Sequence, residues 1–166
     1  MSTGGYGCTT SGTSNIGGLI YDDVTYMDII NKISSTGYID TFCIRIYTGG
    51  INQYINFKIF RLNGTNYNII SNTDWLLVNT GSVSSVSFNL TSPVSVNYGD
   101  IIGIGIQHNN PGPSIMVESG TGVYRQQINV TSTTPVSSWT DIGLSNLRIY
   151  ASSVPCTTPT CSFTLT

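Results

Sequence analysis

Residue types that could do chemistry are few and scattered in this chain. His108 is the single histidine, and it lies beside Asn109-Asn110-Pro111, a segment typical of a loop. No acid is placed in sequence to orient its ring, so we interpret it as a surface residue rather than a catalytic base. The eight carboxylates show no spacing that predicts the paired acids of a glycosidase. The sequence therefore predicts no enzymatic activity and no cofactor.

One acidic cluster and one glycine pattern need separate consideration. Asp22 and Asp23, with Asp28 nearby, are interpreted as a solvated turn, and a calcium site is the weaker alternative. The stretch Ile102-Gly-Ile-Gly-Ile-Gln has the first two glycines of a dinucleotide-binding motif. His108 stands where the third glycine belongs, and no helix pattern follows, so we reject a nucleotide site.

Aromatic residues and cysteines give two further hypotheses. Trp75 and Trp139, together with ten tyrosines, are candidates for a sugar-stacking platform, although in a β-sandwich such residues also serve as core and rim. The four cysteines, an even number in a chain poor in charge, suggest disulfides. They are Cys8, Cys43, Cys156 and Cys161.

The cysteine pairing is open at this stage. Three pairings are possible, and we favour Cys8 with Cys156 or Cys161, tying the terminal segments to their own domain or to a neighbouring subunit. Cys43 lies in a predicted strand, where a buried free thiol is the alternative.

Composition predicts an all-β protein with a nearly neutral surface. Ala151 and Glu118 are the single alanine and glutamate, so a substantial helix has little to be built from. Charged residues make up 8% of the 166 residues, against about 25% in an average soluble protein. No cluster of cations predicts nucleic-acid binding, and no apolar run is long enough to insert into a membrane. Weak charge repulsion makes self-association easier.

The pattern of apolar residues predicts a single antiparallel β-sandwich of the jelly-roll type, with about ten strands. In the central stretch Ser92–Gln107, Ile102, Ile104 and Ile106 form a core stripe, and Gly103 and Gly105 leave the other face bare. We interpret that bare face as a docking groove, in which Gly103→Val leaves the fold intact and blocks assembly. The predicted strands are Tyr38–Tyr47, Tyr54–Leu62, Asn66–Ile70, Trp75–Val78, Val83–Leu90, Val94–Asn97, Ile101–Gln107, Ile115–Glu118, Val123–Val130 and Leu147–Ala151. Two short strands around Asp22-Asp23 precede them, with a single helical turn near Met27 to Ile33 as the alternative.

The domain organisation is a sandwich with two extended arms. Residues 1–18 are rich in Gly, Ser and Thr and are predicted to be a flexible arm, residues 19–152 the sandwich, and residues 153–166 a second arm. Phe163 and Leu165 fall on one face of a short terminal strand, which either closes its own sheet or joins a neighbour's edge.

A family resemblance is carried by two segments within residues 40–107. The segment Phe60-Arg-Leu-Asn-Gly-Thr-Asn-Tyr67 and the later Pro93-Val-Ser-Val-Asn-Tyr-Gly-Asp-Ile-Ile-Gly-Ile104 resemble extracellular jelly-roll sandwiches of surface proteins. The Val-x-x-Gly-Asp-x-Ile part is similar to the heads of the tumour-necrosis-factor and complement type, including those on bacterial spore filaments. The resemblance implies a structural scaffold rather than a catalytic site.

Taken together, the sequence predicts a structural subunit that assembles with copies of itself into an extracellular filament, appendage, fibre or virion surface. A carbohydrate-binding or adhesive module on a cell, spore or virus surface is the alternative, with glycans as partners. The first residues lack the cationic and apolar regions of a signal peptide, so a removed signal and release by lysis are both open. Glycosylation at the sequons of Asn63, Asn89 and Asn129 is also open.

Overall fold

The protein is built almost entirely of β-strands. A computed structural model describes residues 2–5, 14–16, 24–48, 51–82, 84–107, 114–119, 123–126, 130–147 and 149–155. Within these ranges there are fifteen strands, a short 3-10 turn at Val136–Ser138 and no α-helix, which confirms the all-β prediction. The strands are β1 (Ser2–Gly5), β2 (Ser14–Ile16), β3 (Val24–Asp28), β4 (Gly37–Tyr47), β5 (Gln53–Asn63), β6 (Asn66–Asn72), β7 (Leu76–Val78), β8 (Ser84–Val96), β9 (Ile101–Ile106), β10 (Ser114–Ser119), β11 (Val123–Gln126), β12 (Thr134–Pro135), β13 (Thr140–Asp141), β14 (Leu144–Leu147) and β15 (Ile149–Pro155).

The strands form two antiparallel sheets. The first sheet has the order β1-β15-β4-β10-β14, with β2 paired to β10 and β8 paired to β4. The second has the order β12-β6-β5-β9-β3-β11-β13, with β7 paired to β5. Every strand pair within the described ranges is antiparallel. The strand number is larger than the ten expected, because several short edge strands carry too little apolar pattern to be recognised.

The two sheets share one apolar core. Phe42 of β4 stacks on Phe57 of β5, with ring centroids 4.5 Å apart and planes 3° from parallel, so side chains of the two sheets meet directly. The predicted stripe of Ile102, Ile104 and Ile106 is confirmed, since all three belong to this buried cluster. The cluster, named here the main core, consists of Val24, Tyr26, Ile33, Ile39, Phe42, Ile44, Ile46, Ile55, Phe57, Ile59, Val78, Val96, Ile102, Ile104, Ile106, Ile149 and Ala151.

The longest strand, β8, was predicted as two separate strands. Residues 84–90 and 94–96 of the predicted strands Val83–Leu90 and Val94–Asn97 lie on the single strand β8, with a register shift opposite the β4 residues Ile39 to Thr41. Val83 lies outside the described residues, and Asn97 follows the end of the strand. The Ser92-Pro93 pair does not break the strand, because proline is tolerated where its missing N–H would point away from the sheet. The strand therefore passes the proline with a bulge instead of a turn.

Parts of the predicted N-terminal arm are strands. β1 pairs with β15 through Ser2 and Ser152, and β2 pairs with β10 through Ile16 and Ile115. A strand at a sheet edge needs backbone hydrogen bonds more than apolar side chains, so a segment rich in Gly, Ser and Thr can join a sheet without a visible pattern. The prediction of a wholly flexible arm is therefore wrong for residues 2–5 and 14–16.

Candidate functional site

Strand β8 forms an edge of the first sheet. It pairs with β4 along Ser84 to Val96, while β15 and β10 pair with the opposite side of β4. Ile46 of β4 shows the arrangement, because it pairs with Ser84 on one side and with Ile115 on the other. Within the described ranges no second strand pairs with β8. Among the described strands, β8 is therefore an edge of this sheet, and edge strands are the part of a sheet that can accept a further strand.

The side chains of β8 that point into the main core are incompletely covered. Val86, Phe88 and Leu90 pack against the core but are only half-buried. Their cross-strand neighbours Phe42 and Ile44 on β4 are 1% and 0% exposed. This contrast is typical of a sheet edge, where an inward side chain has a neighbouring strand on one flank and solvent on the other. A further strand beside β8 would complete this part of the core.

Strand β8 carries no charged residue along its 13 positions. Natural proteins commonly protect an edge strand against pairing with charged side chains, proline or a bulge. Here proline and bulge lie together in the second half of the strand, at Pro93 and opposite Asp40. The regular half, Ser84–Leu90, has neither. Its outward side chains, including Ser87 and Asn89, are short, polar and exposed.

A polar groove adjoins the bulged half of β8. It has a volume of about 340 Å³ and lies between the bulge and the segment that joins β6 to β7. Most of its lining residues have hydroxyl, amide or carboxylate side chains, among them Asn72, Asp74 and Asn89, while Leu76, Leu90 and Val94 contribute apolar surface. The half-buried Trp75 lies between two lining residues in sequence. Trp75 itself is not among the lining residues, so the groove offers hydrogen-bonding groups without an indole ring in its wall.

The face of β9 that was expected to be bare is covered by the protein itself. A methyl group built on Gly103 would lie 2.6 Å from Cε2 of Phe60 and 2.6 Å from the carbonyl oxygen of Tyr26. Glycine is needed here because the Phe60 ring occupies the space of a side chain. The expectation of an open docking groove at Gly103 is therefore wrong. Gly105, on the same strand, is buried between the β3 residue Thr25 and the β5 residue Asn56.

A second apolar cluster covers this outer face of the second sheet, and no sequence pattern predicted it. Trp139 packs edge-on against Phe60 and Tyr67, with centroids 5.5 and 6.1 Å apart. Its Nε1 donates a hydrogen bond to Oγ1 of Thr134 at 3.0 Å. Burial, with a smaller contribution from Tyr124, raises the pKa of Tyr67. The buried members are Met27, Phe60, Tyr67, Ile101, Val130 and Trp139.

The two tryptophans differ in how deeply they are buried. Trp139 is 7% exposed and serves as a packing residue, whereas Trp75 is half-buried. An apolar cleft of about 540 Å³ lies next to the cluster, lined by Leu62, Tyr67, Val136 and their neighbours. The segment that contributes Val130 to Trp139 has the sequence character of a loop, since its apolar residues follow no regular period.

Lys58 is a buried cation on the same outer face. Its side chain is fully buried, and its Nζ donates a hydrogen bond to Oδ1 of Asn72 at 2.9 Å. The ion pair found in the described part of the chain does not involve it. Burial lowers the pKa of Lys58 from 10.5 to about 8. Beside it, Oδ1 of Asn56 is buried without a hydrogen-bond partner.

The Gly-Asp turn before β9 has a structural role. Asp100 is buried and accepts two hydrogen bonds from Arg61, Nε to Oδ1 and Nη2 to Oδ2, each 2.8 Å long. Its Oδ2 also accepts the backbone N–H of Asn97 at 2.7 Å, which closes the turn. The hydrogen bond to Asp100 raises the pKa of Arg61. The carboxylate thus ties the turn to the end of β5.

Asp28, the described member of the acidic cluster, makes the hydrogen bonds of a turn. Asp28 Oδ1 accepts the backbone N–H groups of Ile30 and Asn31, both at 3.0 Å, and Oδ2 accepts Nδ2 of Asn31 at 2.9 Å. Asp22 and Asp23 lie outside the described residues. The described part of the chain holds no group of three or more His, Cys, Asp or Glu residues placed to bind a metal ion.

Several candidate residues fall outside the part of the chain that the structure describes. They are Cys8, Cys156, Cys161, Phe163 and Leu165, together with His108 and Asn129. Cys43, the one described cysteine, is 6% exposed and is not a free thiol, which overturns the free-thiol alternative. The disulfide pairing stays a prediction. Of the sequon residues, Asn63 is exposed in the β5–β6 hairpin, and Asn89 is exposed on β8.

Among the described residues, no helix has the length and apolar character needed to span a membrane. No protein family model matches the chain, and no curated protein matches it either.

Proposed function

We propose that this protein is a structural subunit that assembles with copies of itself into an extracellular filament, appendage, fibre or virion surface. The observation that carries the proposal is the edge strand β8. Its regular half has half-buried apolar side chains and no charge, and β4 is the one described strand that pairs with it. An edge of this kind is a ready template for pairing with another chain.

The charge distribution supports the same proposal. The chain has 14 charged side chains, six basic and eight acidic. Asp28, Lys58 and Asp100 are buried, so the surface is still poorer in charge than the composition indicates. Weak like-charge repulsion lowers the barrier to close approach of two copies.

The proposed scaffold is a jelly-roll sandwich, in keeping with the resemblance carried by residues 60–67 and 93–104. Antiparallel strands in two sheets with a shared core support this proposal. The terminal segments, with Cys8, Cys156, Cys161, Phe163 and Leu165, are proposed as links between subunits. We propose the surface of a cell, spore or virion, or the extracellular space, as the site of assembly.

Electron microscopy of the purified protein, with and without reductant, tests the proposal. Ordered particles larger than the single chain support it, and their loss in reductant would assign the linkage to disulfides. A protein that light scattering finds monomeric at every concentration, under oxidising conditions, overturns it.

A carbohydrate-binding module is the second candidate, and the polar groove beside β8 is the observation that favours it. Most of its lining residues carry amide, hydroxyl or carboxylate side chains, and Trp75 lies between the lining residues Asp74 and Leu76 in sequence. Binding on a glycan array that is lost in Trp75→Ala, and kept in the exposed-residue control Tyr98→Ala, supports this function. An array without any binding excludes it for the glycans displayed.

A further inference from the structure

We infer that Cys43 forms its disulfide with Cys8 of the same chain, and that this bond holds strands β1 and β2 on the first sheet. Cys43 is disulfide-bonded rather than free, and the other three cysteines, Cys8, Cys156 and Cys161, are its candidate partners. The inference goes beyond the proposed function and does not depend on self-assembly. It replaces the pairing of Cys8 with Cys156 or Cys161 that the sequence favoured.

Cys43 lies on the outer face of the first sheet, opposite to the main core. Its neighbours along β4, Phe42 and Ile44, belong to the core, so the alternation of the strand directs the Cys43 side chain outward. Cys43 is nevertheless only 6% exposed, although Ser87, which pairs with it on β8, is exposed. The cover over Cys43 does not extend over Ser87, which points to the other side of β4, where β15 lies.

Strand β1 ends at the level of Cys43. Tyr150 of β15 pairs with Cys43 on one side and with Gly5 of β1 on the other. Gly5 is therefore two strand spacings from Cys43, about 9.5 Å. Cys8 follows three residues later, and three residues span up to roughly 10 Å. Since a disulfide needs Cα atoms about 4.4–6.8 Å apart, Cys8 is within reach of Cys43.

Strand β2 begins close to the same level. Ile115 of β10 pairs with Ile46 of β4 on one side and with Ile16 of β2 on the other. Because β2 and β4 are both antiparallel to β10, they run in the same direction, and Ser14 at the start of β2 lies close to the level of Cys43. The segment that joins β1 to β2 thus begins and ends two strands from the same part of β4.

The C-terminal cysteines follow the far end of β15. Pro155, the last residue of that strand, pairs with Gly37, which is six residues from Cys43 and so roughly 20 Å away along β4. Cys156 is the next residue, and one residue cannot cover this distance. Cys156 is therefore excluded as the partner.

Cys161 is out of range for a related reason. The tightest reversal of the chain, a two-residue turn after Pro155, would bring Cys161 back only to the level of Ser152. The place beside Ser152 on the side away from β4 is taken by Ser2 of β1. Cys8 is therefore the partner that the strand order favours.

Formation of the bond is a two-electron oxidation. The thiols of Cys8 and Cys43 each lose one proton and one electron as the S–S bond forms. The oxidant is a small-molecule disulfide, such as oxidised glutathione, which takes up two electrons and two protons and leaves as two thiols.

The bond supplies a hold that the residues of β1 and β2 do not supply themselves. These residues are mostly small or polar, so apolar burial contributes little to keep the two strands on the sheet. A covalent bond from the joining segment to β4 limits how far they can separate from it. Cys8 is then not available for a link between copies, and Cys156 and Cys161 remain for the covalent links proposed above.

Peptide mapping under non-reducing conditions tests the pairing. Free thiols are blocked with N-ethylmaleimide before digestion, so that disulfides do not exchange, and only the monomer band of a non-reducing gel is digested. Trypsin cuts after Lys and Arg, which places Cys8, Cys43 and the C-terminal cysteines on the separate peptides Met1–Lys32, Ile33–Arg45 and Ile149–Thr166. We expect the first two peptides to be linked in most chains, and the third to be linked to neither.

Three results of the mapping overturn the inference. The first is a link between Ile33–Arg45 and Ile149–Thr166, and the second is a Cys43 that carries N-ethylmaleimide. The third is a link of Met1–Lys32 to Ile33–Arg45 that occurs only in dimers or larger species, which would place the bond between copies. All three leave the proposed function standing, because association in light scattering tests that function separately.

Hydrogen exchange tests the hold on β1 and β2. The double variant Cys8→Ser/Cys43→Ser removes the bond, and Cys156→Ser/Cys161→Ser is the matched control that loses the same number of cysteines. We expect the backbone amides of both strands to exchange about tenfold faster or more in the first variant, and as in wild type in the control. Wild type in reductant gives the same comparison without a substitution. Equal exchange with and without the bond would overturn its role in holding these strands.

Discussion

The ring of Phe88 lies against the ring of Phe57, 5.6 Å between centroids, although the two residues belong to different sheets and Phe88 stands on an edge strand. This contact fixes which face of β8 points inward, because a shift of one residue would turn Phe88 to solvent. The edge is therefore anchored from inside the core, while its outer side has no partner strand in the described part of the chain.

Truncation of Phe88 should cost less than truncation of its neighbour. We expect Phe88→Ala to lower the free energy of unfolding by about 2 kcal/mol and Phe57→Ala by about 4 kcal/mol, since only Phe57 is fully buried. Urea unfolding of dilute, monomeric protein measures both values. Equal losses for the two variants would contradict the description of β8 as an edge.

Replacement of Gly103 should destabilise the fold. Gly103→Ala forces a methyl group to within 2.6 Å of the Phe60 ring and the Tyr26 carbonyl, and overpacking of this kind costs about 1–3 kcal/mol. Gly81→Ala is the control, because a methyl group there meets no described atom within 4 Å. Thermal unfolding of the two variants compares them, and a Gly103→Ala protein as stable as the control would show that the second cluster is loosely packed.

The buried Lys58 should make stability depend on pH. Burial lowers its pKa in the folded protein to about 8 from the 10.5 of an exposed lysine, so between these pH values the unfolded chain binds more protons. Stability therefore rises as pH increases from about 8 towards 10.5, and the destabilising effect of the charge is fully present below pH 8.

Lys58→Met should remove this dependence. We expect the substitution to stabilise the protein below about pH 8 by an amount on the order of 2 kcal/mol. This gain is smaller than the full shift in pKa would give, because the wild-type amine keeps its hydrogen bond to Asn72. The advantage over wild type should shrink as pH rises. Urea unfolding at several pH values checks this, and a constant difference between the two proteins would mean that Lys58 does not titrate in this range.

The Arg61–Asp100 pair should stabilise the turn before β9. Asp100→Asn replaces one acceptor oxygen with a donor that faces Arg61 or the Asn97 N–H, and we expect a loss of about 2 kcal/mol. Asp74→Asn, at an exposed position, is the control and should change stability little. Chemical denaturation distinguishes the two, and equal effects would argue against a structural role for this carboxylate.

The elements that were predicted correctly are those determined by residues close together in the chain. Phe42, Ile44 and Ile46 alternate with polar residues, so β4 and its inward face were expected as they are found. The sequence Asn63-Gly64 likewise predicted the β5–β6 hairpin, which is found with Gly64 and Thr65 as its turn residues, since Asn63 pairs with Asn66. In both cases short-range chemistry determines the structure.

The features that sequence reasoning missed depend on contacts far apart in the chain. Gly103 has a bare face in isolation, and the Phe60 ring and the Tyr26 carbonyl fill the space beside it. The edge position of β8 depends on strand order, which no local pattern encodes. One signal was available, since no charged residue occurs between Asp74 and Asp100, and such a run could have indicated an edge that is not protected against pairing.

The association state of two lysine variants tests the central claim most directly. Ser87→Lys places a charge in the middle of the regular half of β8, where it hinders pairing with another strand, whereas Thr91→Lys adds the same charge in the bulged half. Light scattering over a range of concentrations should find wild type and Thr91→Lys associated and Ser87→Lys monomeric, with all three folded by circular dichroism. A Ser87→Lys protein that associates as wild type does would contradict assembly through β8.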